Sequence, residues 1–139
     1  MRRSMVDLAL LVLRVVLGVI FVAHGAQKLF GSFGGPGLKG TAGFFGQLGI
    51  RPAYPMAVAV GVVEFFGGLL AALGLLTPVA AVGIILVMVV AILTVHLRNG
   101  FFNQNGGYEF NLALIGIALA LLLAGAGSYS LDAALGLFW

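Results

Sequence analysis

Four apolar runs, each about as long as a bilayer's hydrocarbon core is thick, decide what this 139-residue chain can fold into. They are roughly Leu8–Phe30, Pro55–Leu76, Pro78–Leu97 and Tyr108–Ala126. A helix rising about 1.5 Å per residue needs about 20 residues to cross the hydrocarbon. In lipid no water is present to satisfy the backbone, so segments of this kind must be helical. The rest of the composition agrees, because 62% of the residues are hydrophobic and only 8% are charged, too few to cover a soluble globule. The expected fold is all-α, an integral membrane antiparallel four-helix bundle forming a single domain over residues 1–139. Its net charge of +3 is thinly spread, with no basic stripe, so no nucleic-acid partner is expected and the lipid bilayer is the first partner. The absence of cysteine excludes disulfides, thiolate-ligated zinc, iron–sulfur ligation and a dithiol relay within the chain. Arg2 and Arg3 would suit the start of a signal peptide, but Arg14 interrupts the run and the run is long, so the first segment is expected to span.

The connections are read from their turn chemistry. In GLLTPV, Gly74 ends one helix, Thr77 is the expected cap of the next, and Pro78 takes its first position. The long first loop, 31–54, is glycine-rich. Its middle, Thr41–Leu48, reads either as irregular loop or as a short interfacial helix capped by Thr41. The third loop, RNGFFNQNGG at 98–107, combines turn formers with aromatics suited to the headgroup level. In the tail, Ser130 caps a short interfacial helix that Phe138 and Trp139 would anchor. Gly18, Gly25, Gly61, Gly68, Gly83 and Gly116 offer small surfaces for close helix packing.

A charge inside hydrocarbon costs about 2.5–3.5 kcal/mol on insertion scales, so the depth of each polar residue matters. Alternating spans put the end of the first, the start of the second, the end of the third and the start of the fourth on one side. His24 then lies roughly 9 Å inside that boundary and Glu64 roughly 13 Å inside it. Lys28, His96, Glu109 and Asn111 lie within roughly 5 Å of it, and Arg14 roughly 24 Å away, in the other half. This asymmetry predicts a polar-floored pocket opening toward the loops, in which His24 and Lys28 would meet Glu64 and Glu109. Arg14, Gly18, Phe21, Gly25 and Lys28 share a stripe of the first span, with His24 at its edge. Glu109 and Asn111 are about 200° apart on a regular helix, so both cannot line one narrow pocket. Against a functional reading stand two structural ones. Lys28, His96 and Glu109 lie where side chains reach the interface, and Arg14 is long enough to form an ion pair with Glu64. A bis-histidine haem on His24 and His96 is disfavoured by their unequal depths, and no HxxxH or ExxH pair suggests a metal.

HGAQKLF at 24–30, GVVEFFGGLLAALGLLTPVAA at 61–81, HLRNGFF at 96–102, GGYEFNLAL at 106–114 and GAGSYSLD at 125–132 come in order along nearly the whole chain. Together they resemble the DoxX family of small four-span membrane proteins. That family takes its name from a subunit of a membrane thiosulfate:quinone oxidoreductase, and other members are tied to quinone handling or to redox and sulfur stress. The resemblance implies a quinone as ligand and marks His24, Lys28, Glu64, His96, Tyr108, Glu109 and Asn111 as motif positions. The expected place is the cell membrane of a bacterium or archaeon.

Three functions compete on these residues. In the first, a quinone-linked oxidoreductase or subunit, Glu64, His24 and Glu109 are the expected proton-handling residues. His24, Lys28, Glu64, His96, Tyr108, Asn111 and Arg14 are the expected binding set. In the second, the chain is a non-catalytic anchor or assembly partner of a redox enzyme, which would dock on the loops. In the third, it transports a small solute or protons, which four spans would need a homo-oligomer to do. Lys28, Lys39, Arg51 and Arg98 favour the loops inside the cell, whereas Arg2 and Arg3 favour the N-terminus inside; the count tips toward cytoplasmic loops.

Overall fold

Glycine and proline punctuate a chain that is otherwise uniformly helix-forming. The computed structural model describes residues 2–138. Its helices are α1 (Arg2–Phe30), α2 (Gly37–Gln47), α3 (Ala53–Leu73), α4 (Thr77–Ala91), α5 (Glu109–Ala124) and α6 (Leu131–Ala134). Beyond Ala91, α4 continues as a π-helical turn, Ile92–His96, and a 3-10 turn, Leu97–Asn99. There is no strand among the described residues. Three helices are long and apolar enough to cross a membrane: Arg2–Phe30, Ala53–Leu73 and Thr77–Asn99. The expected fourth span is shorter than its apolar run. Its helix covers 16 residues, because Gly125 leaves helical geometry at its end. At about 1.5 Å per residue that is roughly 24 Å.

Packing follows the glycine faces. A β-carbon on Gly25 would sit 2.6 Å from Phe65 Cα, and one on Gly68 would sit 2.7 Å from the Val22 nitrogen. α1 and α3 therefore meet backbone to backbone, which only glycine permits. α4 lies against both α3 and α5, and Leu17, Phe21, Ile84, Met88, Leu114 and Ala118 pack into the common core. Gly116 differs from the five other glycines expected to pack: a β-carbon there would meet nothing within 4 Å.

Two expected caps sit elsewhere. α2 begins at Gly37 after Pro36, so Thr41 is inside the helix and its hydroxyl donates to the Gly37 carbonyl at 2.8 Å. Proline, with φ already set, starts the turn five residues before the threonine. At the head of α4, Thr77 is the first helical residue and not the cap. Gly74 (φ 66) closes α3, and Leu76 (φ 51) turns the chain so that its own amide and that of Thr77 face the tail. There the Asp132 carboxylate accepts both, at 2.7 and 3.0 Å. A carboxylate binds helix N-terminal amides more strongly than a hydroxyl does. The Asp132 amide in turn donates to the Gly74 carbonyl at 2.8 Å. Ser130 caps α6 as its position suggests, accepting from the Ala133 amide at 3.1 Å. Of the expected tail anchors, Phe138 is half exposed, and Trp139 lies outside the described residues.

Two outcomes test this packing in detergent-solubilised protein. Gly25→Ala forces α1 off α3 and lowers stability by about 1–3 kcal/mol, whereas Gly116→Ala leaves the thermal midpoint unchanged. Asp132→Ala strands two helix-terminal amides and costs about 1–3 kcal/mol; an unchanged midpoint would show that the tail does not hold the α3–α4 turn.

Candidate functional site

Toward the loop end, the helices enclose a cavity of about 590 Å³. Its walls are chiefly hydrocarbon: Phe21 of α1, Phe44 and Phe45 of α2, Met56 and Val60 of α3, Val87 and Val90 of α4, and Phe110 and Leu114 of α5. The polar groups are few. His24, Lys28, Glu64, Thr94, His96, Asn103 and Asn111 line the same space.

Glu64 is the deepest of these. Its side chain is 4% exposed and faces Lys28, whose Nζ lies 2.7 Å from Glu64 Oε1. The close packing of α1 on α3 makes this pair. Gly61 lets Leu29 and the Lys28 stem lie against α3, and Lys28 then reaches the carboxylate one turn further on. The charge is compensated beside the cavity, which both side chains line. His24, one helical turn before Lys28, is accessible and lines the same wall.

The opposite wall carries two further groups. Asn111 is buried, and its Nδ2 donates to Met88 Sδ at 3.5 Å. A thioether is a weak acceptor, so the amide is poorly satisfied by the protein itself. His96 lies in the π-helical turn, with Nδ1 2.8 Å from the Gly106 carbonyl. A carbonyl can only accept, so Nδ1 carries the proton and Nε2 of the neutral ring holds a lone pair. The wider π turn brings Thr94, Val95 and His96 all to the cavity, although they are consecutive.

Other expected site residues lie away from it. Glu109 does not line the cavity; it accepts from the Asn103 amide at 2.8 Å and so pins the loop that carries Asn103. Glu109 and Asn111 thus point to different places, as their angular separation requires. Tyr108 packs edge-on against Phe101, with ring centres 5.6 Å apart. Arg14 does not meet Glu64. It is fully buried in the other half, donates to the Tyr129 carbonyl, and lies near Gly74 and Asp132. Gly74 makes that room, since a β-carbon there would collide with the guanidinium. Lys28 lies one turn from Glu64 across the glycine interface and takes the partner's place expected of Arg14. No group of three or more His, Cys, Asp or Glu residues able to hold a metal occurs among the described residues.

Sequence reasoning passed over Phe44, Phe45, Thr94 and Asn103 in the cavity, and Asp132 in the tail. The FF pair at 44–45 and the final position of GAGSYSLD were the available signals.

The DoxX family profile matches residues 9–97, from within α1 to the end of the π-helical turn. The chain belongs to the DoxX family. It is 35% identical over 126 residues to "Putative oxidoreductase CatD" of Bacillus subtilis, covering 91% of this chain and 86% of that one. It is 34% identical over 131 residues to a Mycobacterium tuberculosis protein described as an uncharacterized membrane protein, covering 86% and 77%. It is 26% identical over 140 residues to the inner membrane protein YqjF of Escherichia coli, covering 99% of each. No solved structure matches. The chain is an integral membrane protein of this family, and the profile takes in His24, Lys28, Glu64 and His96.

The ion pair has an asymmetric consequence. Lys28→Met leaves a buried carboxylate without its cation and destabilises by about 3–5 kcal/mol. Glu64→Gln leaves only a lysine that can reach toward the interface, so it costs less, and the double variant recovers much of the Lys28→Met loss. Thermal unfolding of the three variants in detergent checks this ordering.

Proposed function

We propose that this chain is an antiparallel four-span protein of a bacterial cell membrane, whose loop-side cavity binds a quinone, and that it acts as a quinone-linked oxidoreductase or the quinone-binding subunit of one. The observation that carries the reading is the hydrocarbon-walled cavity with the Lys28–Glu64 pair at its deepest point. A quinone has the matching form: a flat apolar ring with carbonyl acceptors that needs two protons with two electrons to become the quinol. Pockets for such ligands are mostly apolar with a few convergent polar groups, and about 300–1,000 Å³ in volume. The name of the Bacillus subtilis relative supports redox chemistry, though of that protein.

In this reading the Lys28 ammonium donates to one carbonyl oxygen and stabilises the negative charge that electrons bring to it. Glu64, which lines the cavity, takes and passes a proton, and His24 does so beside it. Asn111 offers an amide from the opposite wall. Glu109 and Tyr108 shape the loop and the start of α5. The chain has no cysteine, so the electrons come from a second bound reductant or from a redox enzyme docked on the loop side.

Quinone titration of purified protein tests the reading. His24→Ala removes a ring that meets the ligand, and Glu64→Gln releases the Lys28 ammonium that donates to the quinone carbonyl; each weakens binding by about tenfold or more. Unchanged affinity in both variants overturns it. A wild-type protein that binds no quinone but co-purifies with another polypeptide is an anchor and not a quinone protein.

A further inference from the structure

We infer that the cavity opens sideways into the bilayer between α3 and α4, and that its ligand is an amphiphile whose apolar tail lies in that opening. The inference rests on the quinone reading of the cavity and adds how the ligand enters and which part of it the protein grips.

The seam between the two helices changes character along its length. Near the α3–α4 turn it is sealed. A β-carbon on Gly67 would lie 3.6 Å from Ile84 Cγ1, and one on Gly83 would lie 3.1 Å from Val63 Cγ1. On α4, Gly83, Val87, Val90 and Thr94 follow one another at helical spacing on the side turned to α3. On α3, Val63, Val60 and Met56 do the same toward α4. Only Gly83 and Val63 close on each other; Val87, Val90, Val60 and Met56 line the cavity instead.

The side chains on that side are open. Leu86, Val90 and Met56 line the cavity and are 61, 46 and 38% exposed. A side chain that belongs to both surfaces marks an opening, and at this depth the outside is hydrocarbon. The end that faces water is covered by α2. Phe44, Phe45 and Leu48, on and just after α2, line the cavity; Phe45 is buried and Phe44 half exposed. A route roofed by aromatic rings and open to acyl chains excludes hydrated solutes and admits molecules already dissolved in lipid. The head of such a molecule meets Lys28, Glu64 and His24, and its tail has a greasy seam to lie in, at no cost in exposed apolar surface.

The test compares decyl-ubiquinone with the tail-less ubiquinone ring, both bound to protein in lipid nanodiscs. Val90→Trp fills the seam, and Leu119→Trp places the same bulk on a lipid-facing position of α5 outside the cavity. Val90→Trp weakens the decyl form by about tenfold relative to the tail-less ring, the scale of forcing an overfilled site, and Leu119→Trp changes neither. A decyl quinone with a diazirine in its tail, bound to the wild-type protein, crosslinks to Met56, Leu86 or Val90 and needs no variant to fold. Equal effects of Val90→Trp on the two forms, no effect on either, or crosslinks confined to α1 and α5 overturn the lateral opening while the quinone reading stands. If the wild-type protein holds neither form, the quinone reading falls and the opening falls with it.

Discussion

A carboxylate cannot stand alone in hydrocarbon, and Glu64 sits where water does not reach it. The arrangement on the loop side of the protein depends on bringing a cation to that place. Lys28 can do so only because α1 and α3 approach closely enough for their backbones to touch, and Gly18, Gly25, Gly61 and Gly68 allow that approach. The glycine face and the ion pair are one device. Without the glycines the helices stand apart and the pair does not close. Without the pair, the charged side chains of two apolar helices oppose the contact.

The two halves of the molecule use buried charge differently. On the loop side, Lys28 and Glu64 compensate each other beside the cavity that both line. On the other side, Arg14 and Asp132 bind the protein's own backbone, with Arg14 Nε and Nη1 left without a partner. Arg14 binds the Tyr129 carbonyl, and Asp132 caps α4 and ties down Gly74. The tail closes the far end as a packed clasp, while the loop end keeps a polar floor under hydrocarbon walls.

The apolar runs, the glycine stripes and the depth of each polar residue were legible because they obey local period and length. The family was legible from five motifs in order. Non-local partners were not. Asp132 caps a helix 55 residues earlier in the chain, so Thr77 was the reasonable cap when only neighbours could be weighed. Arg14 and Glu64 suited each other in reach, but reach does not say which cation the packing delivers first. The π-helical turn at Ile92–His96 follows no compositional signal, and it brings Thr94 into the cavity beside His96. The aromatic residues of α2 went unread, because nothing in a glycine-rich loop shows that it folds back over a cavity.

Native mass spectrometry of the protein extracted in mild detergent tests the central claim most directly. The account predicts that the wild-type chain carries a quinone mass and that Glu64→Gln, folded to the same extent, loses it. A wild-type chain that is consistently empty, or a quinone mass retained equally by the variant, would contradict the assignment of the Lys28–Glu64 floor as the ligand's polar contact.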